Sequence, residues 1–150
     1  MHLLIRYLKQ HVGATALVFF LVGCAGTGIK DPNIIRQAVN DPSTTSIFVL
    51  RDTGFQGSAA LLDVGLNGVV IGNLGAGETV TYQLDPGLHT LTANFRGISG
   101  VGVNDPVATF EIENQEKKFF AVSLRTGFLV NTLILSEISE DSYLSLIIGN

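Results

Sequence analysis

The chain has 150 residues and carries nine Lys or Arg against thirteen Asp or Glu, a formal charge of −4 at pH 7. Nucleic-acid binding draws its affinity from cations that neutralise phosphates, so this acidic balance argues against a nucleic-acid partner. Cys24 is the single cysteine, which excludes an internal disulfide and a zinc site built from several cysteines. The length suits one domain.

The start of the chain has the pattern of an export signal. Arg6 and Lys9 give it a positive beginning, and Val12–Val22 is an uncharged apolar stretch that ends just before Cys24. The alternative is an uncleaved anchor, because the uncharged stretch continues through Ile29 and approaches the roughly 20 residues that span a bilayer. Glycines in its second half weaken such a helix, so cleavage before Cys24 is preferred.

Leu21-Val22-Gly23-Cys24 resembles the lipobox of bacterial lipoproteins. The resemblance implies that residues 1–23 are a helical signal peptide, that the Cys24 thiol is joined to diacylglycerol, and that the new amino terminus is acylated, for example with palmitate. Ala25 follows the cysteine where an aspartate would signal retention in the inner membrane. The resemblance therefore implies an outer-membrane anchor facing the periplasm.

Residues 24–45 are predicted to form a lipidated tether with one short helix. Its first residues are small and are expected to be flexible, and Asp31 is suited to cap a helix over Pro32–Val39. One side of this helix carries Ile34, Ile35, Ala38 and Val39. A helix of about two turns is unstable alone, so it either docks on the domain or stays mobile.

Beyond the tether, short β runs alternate with turn residues. Ser46–Arg51 forms a continuous apolar run suited to burial on both faces, and the alternation over Ala59–Leu66 predicts a strand with one core face. Asn67-Gly68 predicts a type I′ hairpin, because both residues tolerate positive φ. Further strands are predicted at Val69–Leu74, Thr79–Leu84, Leu88–Phe95, Val107–Glu113, Lys117–Arg125 and Phe128–Leu135.

The spacing of these runs predicts a single all-β domain over residues 46–150, an antiparallel β-sandwich of about seven or eight strands. None of the connections has the length of a crossover, so every strand pair is expected to be antiparallel. The end of the chain is ambiguous. Either Ser139 caps a terminal helix through Leu146, or Tyr143–Ile148 forms an edge strand.

Several segments between Ser46 and Phe95 also resemble small bacterial lipoproteins that carry one PEGA-like β-sandwich domain with no assigned activity. These segments are residues 51–58 (RDTGFQGS), 64–68 (VGLNG), 71–74 (IGNL) and 84–91 (LDPGLHTL). The resemblance implies an Ig-like or PEGA-like sandwich in the cell envelope that acts as a binding or scaffold module, and it transfers no catalytic residue.

His89 is the only histidine after the predicted leader. It alternates with Leu91 on a predicted core-facing row, which favours a hydrogen-bonded structural imidazole over a base or a ligand. The alternative is a small hydrolase or metal-dependent enzyme that combines His89 with Asp63 and Asp85. No metal-binding or nucleophile motif accompanies these residues, so no enzyme activity, metal or cofactor is expected.

Three other features are candidate sites. The connection over residues 96–106 is long for a sandwich, and binding residues concentrate on such loops. In Lys117–Phe120, Phe120 is expected in the core and Phe119 on the second sheet face or at an interface. Acidic residues near the terminus (Glu137, Glu140 and Asp141) are expected to be solvated.

These observations predict a non-catalytic envelope lipoprotein that is tethered through Cys24. Its partners would be the membrane, through the lipid, and an envelope protein or cell-wall glycan on an edge strand or loop surface. Loss of Arg6 and Lys9 with the leader would leave a formal charge of about −6 on the remaining chain.

Overall fold

The computed structural model describes residues 26–53, 60–97, 103–125 and 131–149. These residues form eight strands and two helices, in the order α1 (Pro32–Val39), β1 (Ser46–Arg51), β2 (Leu62–Leu66), β3 (Val69–Leu74), β4 (Thr79–Gln83), β5 (Gly87–Phe95), β6 (Val107–Ile112), β7 (Lys117–Arg125), β8 (Thr132–Ile138) and α2 (Glu140–Ile148). No helix among the described residues is long and apolar enough to cross a bilayer.

The strands form two four-stranded sheets, and the predicted all-β class is confirmed. The first sheet has the order β4-β1-β7-β8 and the second β3-β2-β5-β6. The prediction that all pairs are antiparallel is wrong for one pair, since β1 runs parallel to β7. The chain between β1 and β7 builds the whole second sheet and β4, so this parallel pair needs no dedicated crossover.

The turns follow the residues that favour them. Asn67 and Gly68 have φ values of 50° and 81°, and Leu66 lies opposite Val69, as a type I′ hairpin requires. The strand limits match the predicted ones within a few residues, except that β8 continues to Ile138. The first residues predicted for that strand, 128–130, lie outside the described part.

The main core lies between the sheets. It consists of Ile47, Val49, Leu62, Val64, Leu66, Leu74, Val80, Leu91, Ala93, Phe95, Phe110, Ile112, Phe120, Val122 and Leu133. β1 is buried along its whole length, as predicted, and alternate residues point to opposite faces. Phe48 and Leu50 therefore face away from this core, toward the helices.

A second core fills the space between the first sheet and the two helices. It contains Ile35, Val39, Phe48, Leu50, Phe119, Tyr143 and Ile147. Phe119 stacks on Phe48 with a centroid distance of 5.1 Å, and Tyr143 meets Phe48 edge-on at 5.9 Å. The expected division between Phe120 in the sandwich and Phe119 on the other face is confirmed.

Both helices begin at side-chain caps. Asp31 accepts a hydrogen bond from the Asn33 N–H at 2.9 Å, and α1 has the predicted limits. The prediction that Ile34 belongs to the apolar side is wrong, because its side chain is 52% exposed while Ile35 is buried. Ser139 caps α2, so the ambiguous terminal segment is a helix.

Residues 26–29, which were predicted to be flexible, are paired with both sheets. The Thr27 N–H donates to the Asn73 carbonyl of β3 at 2.8 Å, and Ile29 exchanges two hydrogen bonds with Thr79 of β4 at 2.7 and 2.9 Å. Residues 26–29 thus lie across the edges of both sheets. They cover backbone groups that an edge strand otherwise leaves open to another chain.

Arg51 joins the two sheets from the end of β1. Its side chain is 5% exposed and donates to the carbonyls of Ala60 and Leu74, and its guanidinium lies 5.4 Å from the centroid of the Phe95 ring. Burial lowers the pKa of Arg51, while the charges of Asp52 and Glu78 raise it. The guanidinium remains charged, because its ordinary pKa lies far above neutrality.

Tyr143 should make the protein sensitive to alkaline pH. Burial raises the pKa of Tyr143, although its hydrogen bond to Thr79 opposes the shift. Above the unfolded value of about 10, the unfolded chain loses this proton while the folded chain keeps it, so the free energy of unfolding should fall by about 1.4 kcal/mol per pH unit. Urea unfolding at several alkaline pH values measures this slope.

Tyr143→Phe should remove this part of the slope and cost about 1 kcal/mol at neutral pH, since Thr79 loses a partner. Tyr82→Phe, at a ring that is 41% exposed, is the matched control and should leave the slope as in the wild type. An equal alkaline slope in the wild type and Tyr143→Phe would contradict this account.

Candidate functional site

A groove of about 630 Å³ lies on the side where β3 and β4 form the edges of their sheets. It is lined by Ser43, Thr44, Thr45, Leu66, Asn67, Val69, Ile71, Tyr82, Gln83, Leu84, Asp85, Pro86, His89 and Asn114. We call it the Tyr82 groove. Residues 26–29 cover the other end of the same side, so the groove occupies the part that this segment leaves open.

His89 forms one wall of the groove and is held at both ring nitrogens. The Asn67 side-chain amide lies 2.9 Å from its Nδ1, and the Asp85 carbonyl oxygen lies 2.9 Å from its Nε2. Phe110 packs against the ring at a centroid distance of 5.7 Å. The predicted hydrogen-bonded imidazole is confirmed, although the residue is half-buried at the end of the core.

These contacts assign the imidazole tautomer. The Thr90 N–H donates to Asn67 Oδ1 at 2.9 Å, which turns the Asn67 NH₂ group toward His89. Nδ1 must then accept, so the proton of the neutral ring is on Nε2 and is donated to the Asp85 carbonyl. Both ring nitrogens are therefore engaged in hydrogen bonds within the domain.

The structure does not bring together the three residues of the enzyme alternative. Asp85 follows β4 close to His89, but its backbone carbonyl makes the contact. Asp63 lies opposite Asn94, five residues along β5 from His89 and therefore about 16 Å away. Its carboxylate binds the Asn73 amide at 2.6 Å and Arg96 at 3.1 Å.

No cluster of three or more His, Cys, Asp or Glu side chains suited to a metal occurs within the described ranges. The acidic residues near the terminus have different surroundings. Glu137 forms an ion pair with Lys118 at 2.9 Å, which raises the pKa of Lys118, and Glu140 and Asp141 lie in the exposed first turn of α2.

The lysines beside the phenylalanines are also engaged. Lys117 donates to the Asp41 carbonyl, and Lys118 lies between Glu116 and Glu137. The described part of the chain thus offers no open basic and aromatic surface at Lys117–Phe120.

In the long connection after β5, residues 98–102 lie outside the described part. Asn104 fixes the far end of this connection by hydrogen bonds to the backbone of Leu133 at 2.8 and 3.0 Å.

The Tyr82 groove combines an aromatic ring with uncharged polar groups. The Tyr82 ring is 41% exposed, and within the described ranges no hydrogen bond occupies the side chains of Tyr82, Gln83 or Asn114. Asp85 is the only lining residue with a formal charge when His89 is neutral. Such a surface suits an uncharged polar ligand better than an anion.

Sequence reasoning missed this groove. Asn67-Gly68 was predicted only as a turn, and the hydrogen bond between the Asn67 side chain and His89 was not predicted. Tyr82 and Gln83 were predicted only as strand residues, because alternation places Tyr82 on the same side as Val80 and gives no signal that its ring is exposed. Cys24 lies outside the described residues.

No protein-family model, curated protein or solved structure matches this chain.

The tautomer of His89 is directly measurable. In a chain that begins at residue 25, His89 is the only histidine, so its ring signals need no assignment. Long-range ¹H–¹⁵N spectra under mildly alkaline conditions should show a proton on Nε2 and an unprotonated Nδ1. A predominant Nδ1–H form would contradict the hydrogen-bond assignment.

Asn67→Gly tests what holds this tautomer, because glycine keeps the positive φ of the turn while the side-chain hydrogen bonds to His89 and Thr90 are lost. We expect a mixture of tautomers and a loss of about 1–2 kcal/mol in the free energy of unfolding. Asn114→Gly, which removes an amide from the same groove without a described hydrogen bond, is the control.

Proposed function

We propose that the chain is a non-catalytic cell-envelope lipoprotein, anchored through acylated Cys24, whose β-sandwich binds a cell-wall glycan in the Tyr82 groove. The observation that carries the binding site is the groove itself: one exposed tyrosine, unoccupied amide side chains and no cation among its lining residues. The lipid anchor rests on Leu21-Val22-Gly23-Cys24 and the apolar leader before it.

Each part of the groove matches a feature of a sugar polymer. The face of a tyrosine ring packs against the apolar C–H face of a sugar, and amide and carboxylate groups exchange hydrogen bonds with hydroxyl and acetamido groups. Gln83, Asn114 and Asp85 supply those polar groups around Tyr82. A phosphate-rich ligand would find no Lys or Arg in the lining.

A non-catalytic role is favoured by the way His89 is used. Both of its nitrogens are engaged, and Asp63 is about 16 Å away and bound to Arg96. The PEGA-like resemblance, which implies a binding or scaffold module in the envelope, agrees with this proposal. The outer-membrane part of the proposal rests on Ala25 after Cys24, where the lipobox resemblance implies that an aspartate would signal retention in the inner membrane.

Metabolic labelling tests the anchor. Bacterial cells that express the full chain should incorporate labelled palmitate into it, and Cys24→Ala should abolish the label because the chain has no second thiol. Equal labelling of both proteins, or no labelling of the wild type, would overturn the lipoprotein proposal.

Co-sedimentation with purified cell-wall sacculi tests the groove. Tyr82→Ala should weaken binding about ten-fold or more, since a buried aromatic anchor contributes roughly 1.5–3 kcal/mol to an interface. Leu88→Ala, at a side chain that is 72% exposed and outside the groove, is the matched control and should bind as the wild type does. Binding that is unaffected by Tyr82→Ala would exclude the groove as the glycan site.

A further inference from the structure

The first described residues are fixed to one end of the sandwich. The Thr27 hydroxyl accepts a hydrogen bond from the Asn73 N–H at 2.9 Å, in addition to the backbone bond between the same two residues. Two residues later, Ile29 pairs with Thr79. Residues 27–29 thus bind the last part of β3 and the first residue of β4.

Gly26 is packed against the turn that joins those strands, residues 75–78. A Cβ atom at Gly26 would lie 2.9 Å from the Asn73 carbonyl oxygen and 2.9 Å from the Gly75 nitrogen, which is closer than real Cβ contacts. The turn is itself closed by Glu78, whose carboxylate accepts from the Gly75 N–H at 2.8 Å. The start of the described chain and this turn therefore form one packed unit.

Cys24 precedes Gly26 by two residues, which span at most about 7 Å. A lipid on Cys24 must therefore enter the bilayer within a short distance of the turn at residues 75–78. We propose that this turn is the membrane-contacting surface of the domain and that its partner is the phospholipid headgroup layer. This inference rests on the lipid anchor proposed above.

The surroundings of the turn fit that partner. Gly77 and Ala76 border a hollow of about 260 Å³ together with Lys30, Pro32 and Ile147. Lys30 is exposed, and a cation at a membrane surface is attracted by lipid phosphates. Small residues in the turn allow its backbone to approach the headgroups closely.

This placement puts the Tyr82 groove at the far end of the domain. β1 connects the two ends. At the end near the turn, the Arg51 N–H donates to the Glu78 carbonyl oxygen at 3.0 Å, and at the other end the Ser46 N–H donates to the Glu116 carbonyl oxygen at 3.1 Å. The five residue steps from Ser46 to Arg51 separate these two ends by about 17 Å. The groove is lined from the Ser46 end and would face away from the bilayer, toward the cell wall.

Site-specific fluorescence quenching tests the orientation. A thiol-reactive fluorophore is attached to Ala76→Cys in the turn or to Glu113→Cys beside the groove, in the lipidated full protein reconstituted into phosphatidylglycerol and phosphatidylethanolamine vesicles. Acylated Cys24 leaves only the introduced thiol to label. Phospholipids with a headgroup nitroxide should quench the Ala76→Cys probe several-fold more than the Glu113→Cys probe.

Vesicle flotation separates the two proposals. Protein that floats but shows equal quenching at both positions would overturn the orientation and leave the anchor intact. Protein that fails to float would overturn the anchor and, with it, the orientation. A flexible Gly-Ser linker inserted between Ala25 and Gly26 is the control: flotation should persist and the difference between the two probes should disappear. A difference that survives the linker would show that the chain's attachment does not set the orientation.

Discussion

Burial of β1 on both faces is the constraint on which the rest of the fold depends. Every residue from Ser46 to Arg51 is buried, with Ile47 and Val49 in the sandwich and Phe48 and Leu50 on the opposite face. A sandwich of two sheets covers only the first pair. Burying each large apolar side chain contributes about 1.5–3 kcal/mol, so the second face requires its own cover. The helices supply it, and α1 depends on this contact because a helix of eight residues is not stable alone.

The end of β1 shows how the same strand connects the layers. The Arg51 side chain extends from the first sheet to the Leu74 carbonyl in the second, while its backbone N–H donates to the Glu78 carbonyl oxygen in the turn between β3 and β4. A buried guanidinium is costly unless its donors are satisfied. Here one guanidinium nitrogen donates to the carbonyls of Ala60, just before β2, and Leu74, at the end of β3, so a polar side chain links the two sheets at this point.

The sequence predicted those parts of the fold that depend on local patterns. Asn67-Gly68, the limits of α1 and the alternation of buried residues were all visible, because turn conformation, capping and side-chain periodicity act over a few residues. The parallel pairing of β1 with β7 was not visible, since it results from how distant strands stack. The flexibility predicted for residues 26–29 was wrong for a related reason. Small residues such as Gly26 suit a flexible chain and a closely packed one equally, and only the position of Asn73 decides between them.

The candidate site was predictable to a smaller extent. The pattern around His89 correctly favoured a hydrogen-bonded imidazole, but its partner Asn67 is 22 residues distant and was interpreted only as a turn residue. Asp63 and His89 lie on adjacent strands, yet the antiparallel register places them at different heights. Register follows from packing of the whole sheet, so carboxylates near a histidine in sequence are weak predictors of a shared site.

The side of the sandwich between β3 and β4 divides into two parts with opposite properties. At the end near residues 75–78, the chain's own segment 27–29 satisfies the edge groups and packs without space for a Cβ at Gly26. At the other end, the strands carry Tyr82 and Gln83, and the edge stays open as a groove. Sheet edges that a fold leaves open invite association, whereas covered edges do not. The covered end is also the end nearest Cys24 in the chain, so the proposed lipid attachment and the proposed ligand binding would occupy the same side of the domain without competing for the same backbone.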